Sequence, residues 1–173
     1  MSRPTARRDT AIVLTLLDTG LRVSELARLF VEDVDMEKGE IFVAPYGSGR
    51  KTKSRYVYIG ASTRKALWKY LAERQARPSE RLFLTEHGNA MNRTSIRVLV
   101  NALGQRAGVT DVHPHRFRHT FAISYLRNGG DVFTLQRLLG HSTLTMVLHY
   151  LKLADTDSAA AHKRASPADR WKL

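Results

Sequence analysis

The chain has 173 residues, of which 43% are hydrophobic, and it contains no cysteine. This length suggests one domain with a buried core, and the missing thiols exclude disulfides, cysteine nucleophiles and cysteine-ligated zinc. Twenty-eight lysines and arginines against 16 acidic residues give a net charge of +12, which favours a polyanionic partner, nucleic acid first and an acidic membrane surface second. No apolar run is long enough to span a bilayer, so we expect no membrane segment.

The first half of the chain predicts two helices followed by a β-hairpin. Apolar residues at 12–17 indicate a buried helix that ends at the next Asp-Thr-Gly, and a second helix begins near Ser24, with Leu26, Leu29 and Phe30 facing inward. Residues 40–43 and 55–59 are rich in β-forming side chains. The turn-rich basic segment between them predicts a long, exposed hairpin tip.

The second half predicts five helices. Ser62 and Thr94 are suitable N-caps for two of them. A third begins in the histidine-rich segment at 113–120 and ends at a Gly-Gly pair, and two shorter helices cover 132–139 and 143–153. The predicted fold class is therefore mixed α/β, mainly α-helical, with a small antiparallel β-sheet or hairpin.

Positive charge is concentrated between Arg50 and Arg77, where the only acidic residue is Glu73. The nine basic residues are Arg50, Lys51, Lys53, Arg55, Arg64, Lys65, Lys69, Arg74 and Arg77. Such a cluster can neutralise several phosphates and makes binding dependent on salt. A solvated helix face explains the helical part equally well, but it explains the hairpin less well. We predict that Arg50, Lys53 and Arg55 bind DNA.

The segment HPHRFRHT (113–120) places His115 and His119 four residues apart, the spacing of two zinc ligands on one helix face. The residues between them include Arg116 and Arg118 and no acidic residue. The arginines oppose a bound dication, and no side chain supplies the general base of a metalloprotease helix. We therefore expect no metal site.

His115 and Arg118 have the i, i+3 spacing that brings two side chains to one helix face. A guanidinium group donates two hydrogen bonds to an oxyanion and stays charged, while an imidazole adds a donor or moves a proton. The pair can therefore hold a phosphate. On spacing alone, a capped and solvated helix start explains these residues as well.

Three segments in order, TGLRVSEL, HPHRFRHTFA and LGHSTLTMVLHY, resemble the tyrosine recombinase (phage integrase) family, most closely its Xer-type members. The resemblance extends from about Leu16 to about Lys152, and it includes the nine-residue gap between His141 and Tyr150. It implies the catalytic-domain fold of tyrosine recombinases. The matching catalytic residues are Arg22, His115, Arg118, His141 and Tyr150, with Glu25 as a supporting acidic residue.

The family's catalytic lysine lies in the β-hairpin, usually five residues before the arginine of an Arg-x-Val-Pro segment. Here that arginine corresponds to Arg55, the position five residues earlier is Arg50, and Tyr58 replaces the proline. Because the hairpin loop varies in length, we assign the role to Lys51, with Lys53 as the alternative.

The resemblance implies a site-specific DNA recombinase or integrase. Tyr150 would attack the scissile phosphate to form a 3′-phosphotyrosyl intermediate with a free 5′-hydroxyl, without metal, ATP or any other cofactor. A tyrosine with its ordinary pKa near 10 needs a proton acceptor, for which His115 is the candidate. Two alternatives stay open: a non-catalytic DNA-binding module on the same scaffold, and DNA relaxation of the type IB topoisomerase kind.

The resemblance also implies a domain organisation and partners. We expect a catalytic domain at 1–153 and a C-terminal tail at 154–173 that is a candidate for docking on a neighbouring protomer, with the family's N-terminal DNA-clamping domain absent. The expected partners are double-stranded DNA at a specific recombination site and further protomers, in a homo- or heterotetramer during synapsis and as a monomer when isolated. The expected location is the cytoplasm of a prokaryote, at the nucleoid or at phage DNA.

Overall fold

The computed structural model describes residues 5–45, 54–74 and 79–154, and residues 162, 163, 166 and 168 of the tail. The predicted lysines Lys51 and Lys53, together with Arg50 and most of the tail, lie outside the described residues. In chain order the elements are α1 (Ala6–Thr19), α2 (Val23–Leu26), β1 (Val34–Asp35), β2 (Glu40–Val43), β3 (Arg55–Tyr58), α3 (Ala61–Arg74), α4 (Arg93–Arg106), α5 (Pro114–Arg127), α6 (Val132–Leu139) and α7 (Thr145–Ala154).

The predicted fold class is confirmed, because the described part is mainly helical and its three strands form an antiparallel sheet in the order β1-β2-β3. Val57 of β3 pairs with Ile41 of β2, and both are fully buried. The next residue, Tyr58, is exposed on the other face, as the two-residue period of a strand requires. Across the described residues, no helix combines the length and the apolar character needed to cross a bilayer.

The second helix is much shorter than the sequence predicts. Leu26 and Leu29 are buried as expected, but α2 ends at Leu26. The main chain beyond it pairs with a distant segment: Leu82 donates to the Leu29 carbonyl at 2.8 Å, and Val31 donates to the Glu80 carbonyl at 2.9 Å. These pairings use the backbone groups that a longer helix would need. The two-residue strand β1 is too short for a sequence pattern to reveal.

Two helix starts also differ from the prediction. Asn92 caps α4 instead of Thr94, since the Asn92 side-chain oxygen accepts hydrogen bonds from the main-chain N–H groups of Thr94 and Ser95, both at 2.9 Å. Ser62 lies inside α3. At the start of that helix, the Asp18 carboxylate accepts from the Gly60 N–H at 2.7 Å, so α1 supplies the partner from a distance.

Among the described residues, the core has two clusters of buried side chains. The larger cluster joins α1, α3, α4 and the sheet, while the smaller one joins α5, α6 and α7. Helix α1 ends at Gly20, whose φ of +62° is left-handed, and a side chain there would overlap the ring of Phe121 from α5. This close approach brings the turn after α1 against α5.

Candidate active site

The turn after α1 places Arg22 directly before α2, and Glu25 holds it there. The Glu25 carboxylate accepts the Arg22 main-chain N–H at 2.8 Å and the Arg22 Nη1 at 3.2 Å. Glu25 is the third residue of the short helix, so its side chain reaches back to the N-cap as in half of a capping box. The Arg22 side chain remains 36% exposed, so it is held at its base and open to a ligand.

Arg55, at the start of β3, binds the same carboxylate with both ends of its fork. Its Nη1 and Nη2 lie 3.0 and 2.9 Å from the two Glu25 oxygens, and its Nε donates to the Leu138 carbonyl at 2.8 Å. Burial raises the pKa of Glu25, but hydrogen bonds and charges from Arg55 and Arg22 outweigh it, so the pKa lies below its usual 4.5. Glu25 is therefore ionised at neutral pH.

Arg118 is buried in the middle of the cluster and is 5% exposed. Its Nη1 donates to the Gly20 carbonyl at 2.7 Å, and its Nη2 donates to the Leu139 carbonyl at 2.7 Å. Burial and the charge of Arg22 lower the pKa of Arg118 to about 10. This value is still far above neutral pH, so Arg118 keeps its charge and is fixed from both sides.

His141 follows the left-handed Gly140 that ends α6. Its Nε2 lies 2.9 Å from Arg118 Nη2, and its Nδ1 is buried without a hydrogen-bond partner among the described residues. Burial, and then the charges of Arg118, Arg22 and Arg55, lower the pKa of His141 to about 4. The ring is therefore neutral at pH 7, with Nε2 as acceptor and the proton on the buried Nδ1.

Tyr150 lies on α7 and is 5% exposed. Its ring packs against that of His119, with centroids 5.3 Å apart. Burial raises the pKa of Tyr150, while the charges of Arg118 and Arg22 oppose that rise. The phenol is therefore protonated at neutral pH and lies within the field of two arginines. To act as a nucleophile, it needs a base that takes its proton and cationic groups that stabilise the negative charge that develops on the phosphate.

His115 is exposed and faces a depression of about 210 Å³ whose wall also includes Arg22 and Arg118. Arg93, the first residue of α4, lines the same depression and was not predicted from the sequence. Its position next to a capping asparagine carries no functional signal. Only the packing of α4 against α2 brings it to the site.

The structure thus brings together most of the predicted residues. Those joined by hydrogen bonds or lining one depression are Arg22, Glu25, Arg55, His115, Arg118 and His141. Tyr150 is electrostatically linked to the same arginines. Three buried or partly buried arginines around one glutamate leave the centre positive, which suits an anionic ligand. In the part of the chain that the structure describes, no three His, Asp or Glu side chains are grouped so as to hold a metal ion.

Comparison with known proteins gives relatives of one kind. The chain is 35% identical over 175 residues to the tyrosine recombinase XerC of Oceanobacillus iheyensis, covering 96% of this chain and 56% of that protein. Its structure superposes on the XerA recombinase with a TM-score of 0.76 and 32% identity, covering 98% of this chain and 58% of that one. It also matches the XerH site-specific recombinase bound to a palindromic difH substrate, with a TM-score of 0.74 and 25% identity, over 98% of this chain and 48% of that one.

The chain therefore spans about half the length of the relatives it matches. The sequence profile of the phage integrase family matches residues 1–157, which is most of the chain. On the strength of this match, the chain belongs to the phage integrase family of tyrosine recombinases.

Proposed function

We propose that this chain carries the DNA breaking and rejoining activity of a site-specific recombinase, with Tyr150 as the nucleophile. The observation that carries the proposal is the environment of Tyr150: the residue is buried on α7, and the charges of Arg118, which is hydrogen-bonded to His141, and of Arg22 act on its phenol. A phosphodiester entering the depression beside His115 would meet fixed hydrogen-bond donors before it reached the phenol.

The proposed reaction forms a bond between the Tyr150 phenol oxygen and the scissile phosphorus and breaks the bond to the 5′-oxygen. The phenol proton passes to His115, and Lys51 gives a proton to the departing 5′-oxygen. The product is a 3′-phosphotyrosyl DNA with a free 5′-hydroxyl. Attack by the 5′-hydroxyl of a partner strand reverses these steps and completes strand exchange, so the covalent bond conserves the energy that rejoining needs.

Catalysis would come from charge stabilisation. Arg22, Arg118 and His141 would donate hydrogen bonds to the non-bridging oxygens of the phosphorane-like transition state. Each such donor is typically worth about 10²- to 10³-fold in rate. Because main-chain carbonyls already fix Arg118, its charge needs little reorganisation when the phosphate arrives.

The partners follow from the same proposal. We infer that the substrate is double-stranded DNA carrying a specific site, as the DNA-bound XerH recombinase supports. Strand exchange would join protomers in a homo- or heterotetramer. With chromosomal, phage or transposon DNA as substrate, the place of action would be the bacterial cytoplasm at the nucleoid.

A covalent-trapping experiment tests this function. A library of nicked duplexes, randomised around the nick, is incubated with the 173-residue chain. DNA that stays attached to protein under denaturing conditions is then sequenced. We expect one family of sites and a protein–DNA adduct on a denaturing gel. Tyr150→Phe should form none, whereas Tyr125→Phe, which removes a hydroxyl from α5 outside the cluster, should form it normally.

The same experiment separates the other functions. A DNA-binding module would retain duplexes only under native conditions, and Tyr150→Phe would not change its binding. A relaxing enzyme of the type IB kind would form the adduct with little sequence preference and would relax supercoiled plasmid. Failure of the wild-type chain to form any adduct across the library would contradict the proposal.

A further inference from the structure

Arg55 was expected to bind DNA, but its guanidinium group already has protein partners at all three nitrogens. Two nitrogens bind the Glu25 carboxylate in a bidentate pair, and the third binds the Leu138 carbonyl. The Arg55 side chain is only 11% exposed, and Glu25 is 5% exposed. A phosphate could reach this guanidinium only by displacing a buried, charge-assisted ion pair, which is costly.

The carboxylate that Arg55 holds is the same one that holds Arg22. Glu25 accepts two hydrogen bonds from Arg22 and two from Arg55. Without the two hydrogen bonds from the Arg55 guanidinium, one side of the Glu25 carboxylate would lack partners. The carboxylate could then turn away from Arg22. The orientation of Arg22 therefore depends on an arginine that lies 30 residues from Glu25 in the chain.

Arg55 also fixes the end of α6, from which His141 projects. The last carbonyls of a helix lack internal partners and attract cations. Arg55 binds the carbonyl of Leu138, and Arg118 binds the carbonyl of Leu139. The next residue, Gly140, has a φ of +65°, and a Cβ there would lie 3.0 Å from Arg55 Nη1. The side chain of Arg55 therefore packs against the turn that leads to His141.

We propose that Arg55 is a positioning residue that orients Arg22 through Glu25 and His141 through the end of α6. This inference rests on the proposed function, since it assigns Arg55 a role in the same cleavage reaction. Arg55 opens β3, four residues after Lys51, so it also anchors the strand that follows the predicted lysine loop. It acts through its neighbours and does not touch the phosphate.

Arg55→Lys tests the proposal, because lysine keeps the charge but cannot form the bidentate pair. The matched control is Arg64→Lys. Arg64 also donates to main-chain carbonyls, those of Met36 and Glu37, but it binds no residue of the site. With the duplex selected above, we expect Arg55→Lys to lower the single-turnover cleavage rate at saturating DNA about 10- to 100-fold. Its Kd should stay within about 2-fold of wild type, and Arg64→Lys should change neither.

The proposal would be overturned if Arg55→Lys weakened DNA binding and left the cleavage rate unchanged. A direct phosphate contact predicts weaker binding, a salt slope smaller by about 1, and an unchanged cleavage rate at saturation. Equal cleavage rates in wild type and Arg55→Lys would also overturn it. If Arg55→Lys folds poorly, Arg55→Gln serves instead, because glutamine donates from one amide nitrogen and cannot form the bidentate pair with Glu25. We expect the same loss of rate without loss of affinity.

A second measurement does not need cleavage. The nitrogen-15 chemical shifts of the His141 ring report its tautomer and its contact with Arg118. Arg55→Lys should move these signals in the free protein, and Arg64→Lys should not. Unmoved His141 signals overturn the proposal. Absence of an adduct in wild type would contradict the proposed function, and the His141 signals would then decide the role of Arg55 by themselves.

Discussion

Arg118 and His141, 23 residues apart in the chain, are joined by a hydrogen bond of 2.9 Å between Nη2 and Nε2. A guanidinium group can only donate, so the imidazole nitrogen must accept, and the proton of the neutral ring lies on Nδ1. That nitrogen has no hydrogen-bond partner among the described residues. The pair thus leaves one buried ring N–H without a partner among the described residues.

The neutral state of His141 predicts a dependence of stability on pH. The pKa of this ring falls from 6.5 to about 4, through burial first and then through Arg118, Arg22 and Arg55. Between these values the unfolded chain binds a proton at this histidine and the folded chain does not. The free energy of unfolding should therefore rise with pH across this range, by at most about 1.4 kcal/mol per pH unit from this one group.

Urea denaturation at several pH values between 4 and 6.5 measures this slope. His141→Gln should flatten it, because glutamine binds no proton. His87→Gln is the matched control, since the His87 side chain is exposed and pairs only with an exposed neighbour, Glu86, among the contacts described. The pKa of His119 is also lowered, by burial first and then by neighbouring histidines. The unfolding free energy should therefore still depend on pH to some extent in both variants. Equal slopes in both variants would contradict a depressed pKa at His141.

Loss of the Arg118 guanidinium should affect both cleavage and stability. Arg118→Ala removes a phosphate donor and leaves the Gly20 and Leu139 carbonyls unpaired. Each buried unpaired group costs about 1–3 kcal/mol. We expect no detectable adduct and a marked fall in the unfolding free energy. Arg116→Ala, two residues earlier on the same helix, removes an exposed arginine that donates to the Thr110 carbonyl and should leave the adduct intact.

Metal removal should have no effect on adduct formation. The proposed charge stabilisation comes from arginine and histidine side chains. Two of the three residues between His115 and His119 are arginines, which oppose a bound dication. Treatment of protein and DNA with excess EDTA, followed by the denaturing gel, should give wild-type amounts of adduct. Inhibition by EDTA that added Zn²⁺ or Mg²⁺ reversed would contradict the mechanism and return the histidine segment to a metal-binding role.

Gly20 should be far more sensitive to substitution than another left-handed glycine. Gly20 and Gly108 have φ values of +62° and +68°, so alanine at either position strains the backbone by about 1–2 kcal/mol. No described residue lies within 4 Å of a Cβ placed on Gly108, whereas a Cβ at Gly20 would overlap the Phe121 ring and lie 3.0 Å from Leu139. Overpacking adds about 1–3 kcal/mol.

Chemical denaturation of Gly20→Ala and Gly108→Ala separates strain from overlap. Only Gly20→Ala should also slow cleavage, because the Gly20 carbonyl accepts a hydrogen bond from Arg118. Similar losses of stability in the two variants would mean that Phe121 moves aside without cost, and the turn after α1 would then not be set by α5.

The fold class and most candidate site residues follow from the sequence because they depend on local patterns. Helix periodicity predicts a helix in the region of α6, and three short motifs point to Arg22, Arg118 and His141. These motifs carry the resemblance because each combines side-chain type with a fixed spacing. The structure adds how Arg22, Arg118 and His141 are held relative to one another.

The contacts that support the site could not be predicted, because they join distant parts of the chain. Arg55 reaches a carbonyl 83 residues away and a carboxylate 30 residues away. In the sequence it is one of many basic residues in a cationic stretch, so charge alone suggested DNA binding. Which of these arginines is buried depends on the strand register and on the packing of α6 against β3.

Arg93 should bind DNA more strongly than its neighbour one turn later. It lines the depression with Arg22, His115 and Arg118, whereas Arg97, also exposed on α4, does not. Arg93→Ala removes one phosphate contact. Loss of one contact costs about 1 to 1.4 kcal/mol, so we expect Kd to rise about 5- to 10-fold and the slope of log K against log salt concentration to fall in magnitude by about 1.

Fluorescence anisotropy with the selected duplex, between about 50 and 200 mM salt, measures both Kd and the salt slope. Arg97→Ala should change Kd and slope much less. If both variants bind alike, the depression beside His115 does not face the DNA, and the path proposed for the phosphate is wrong.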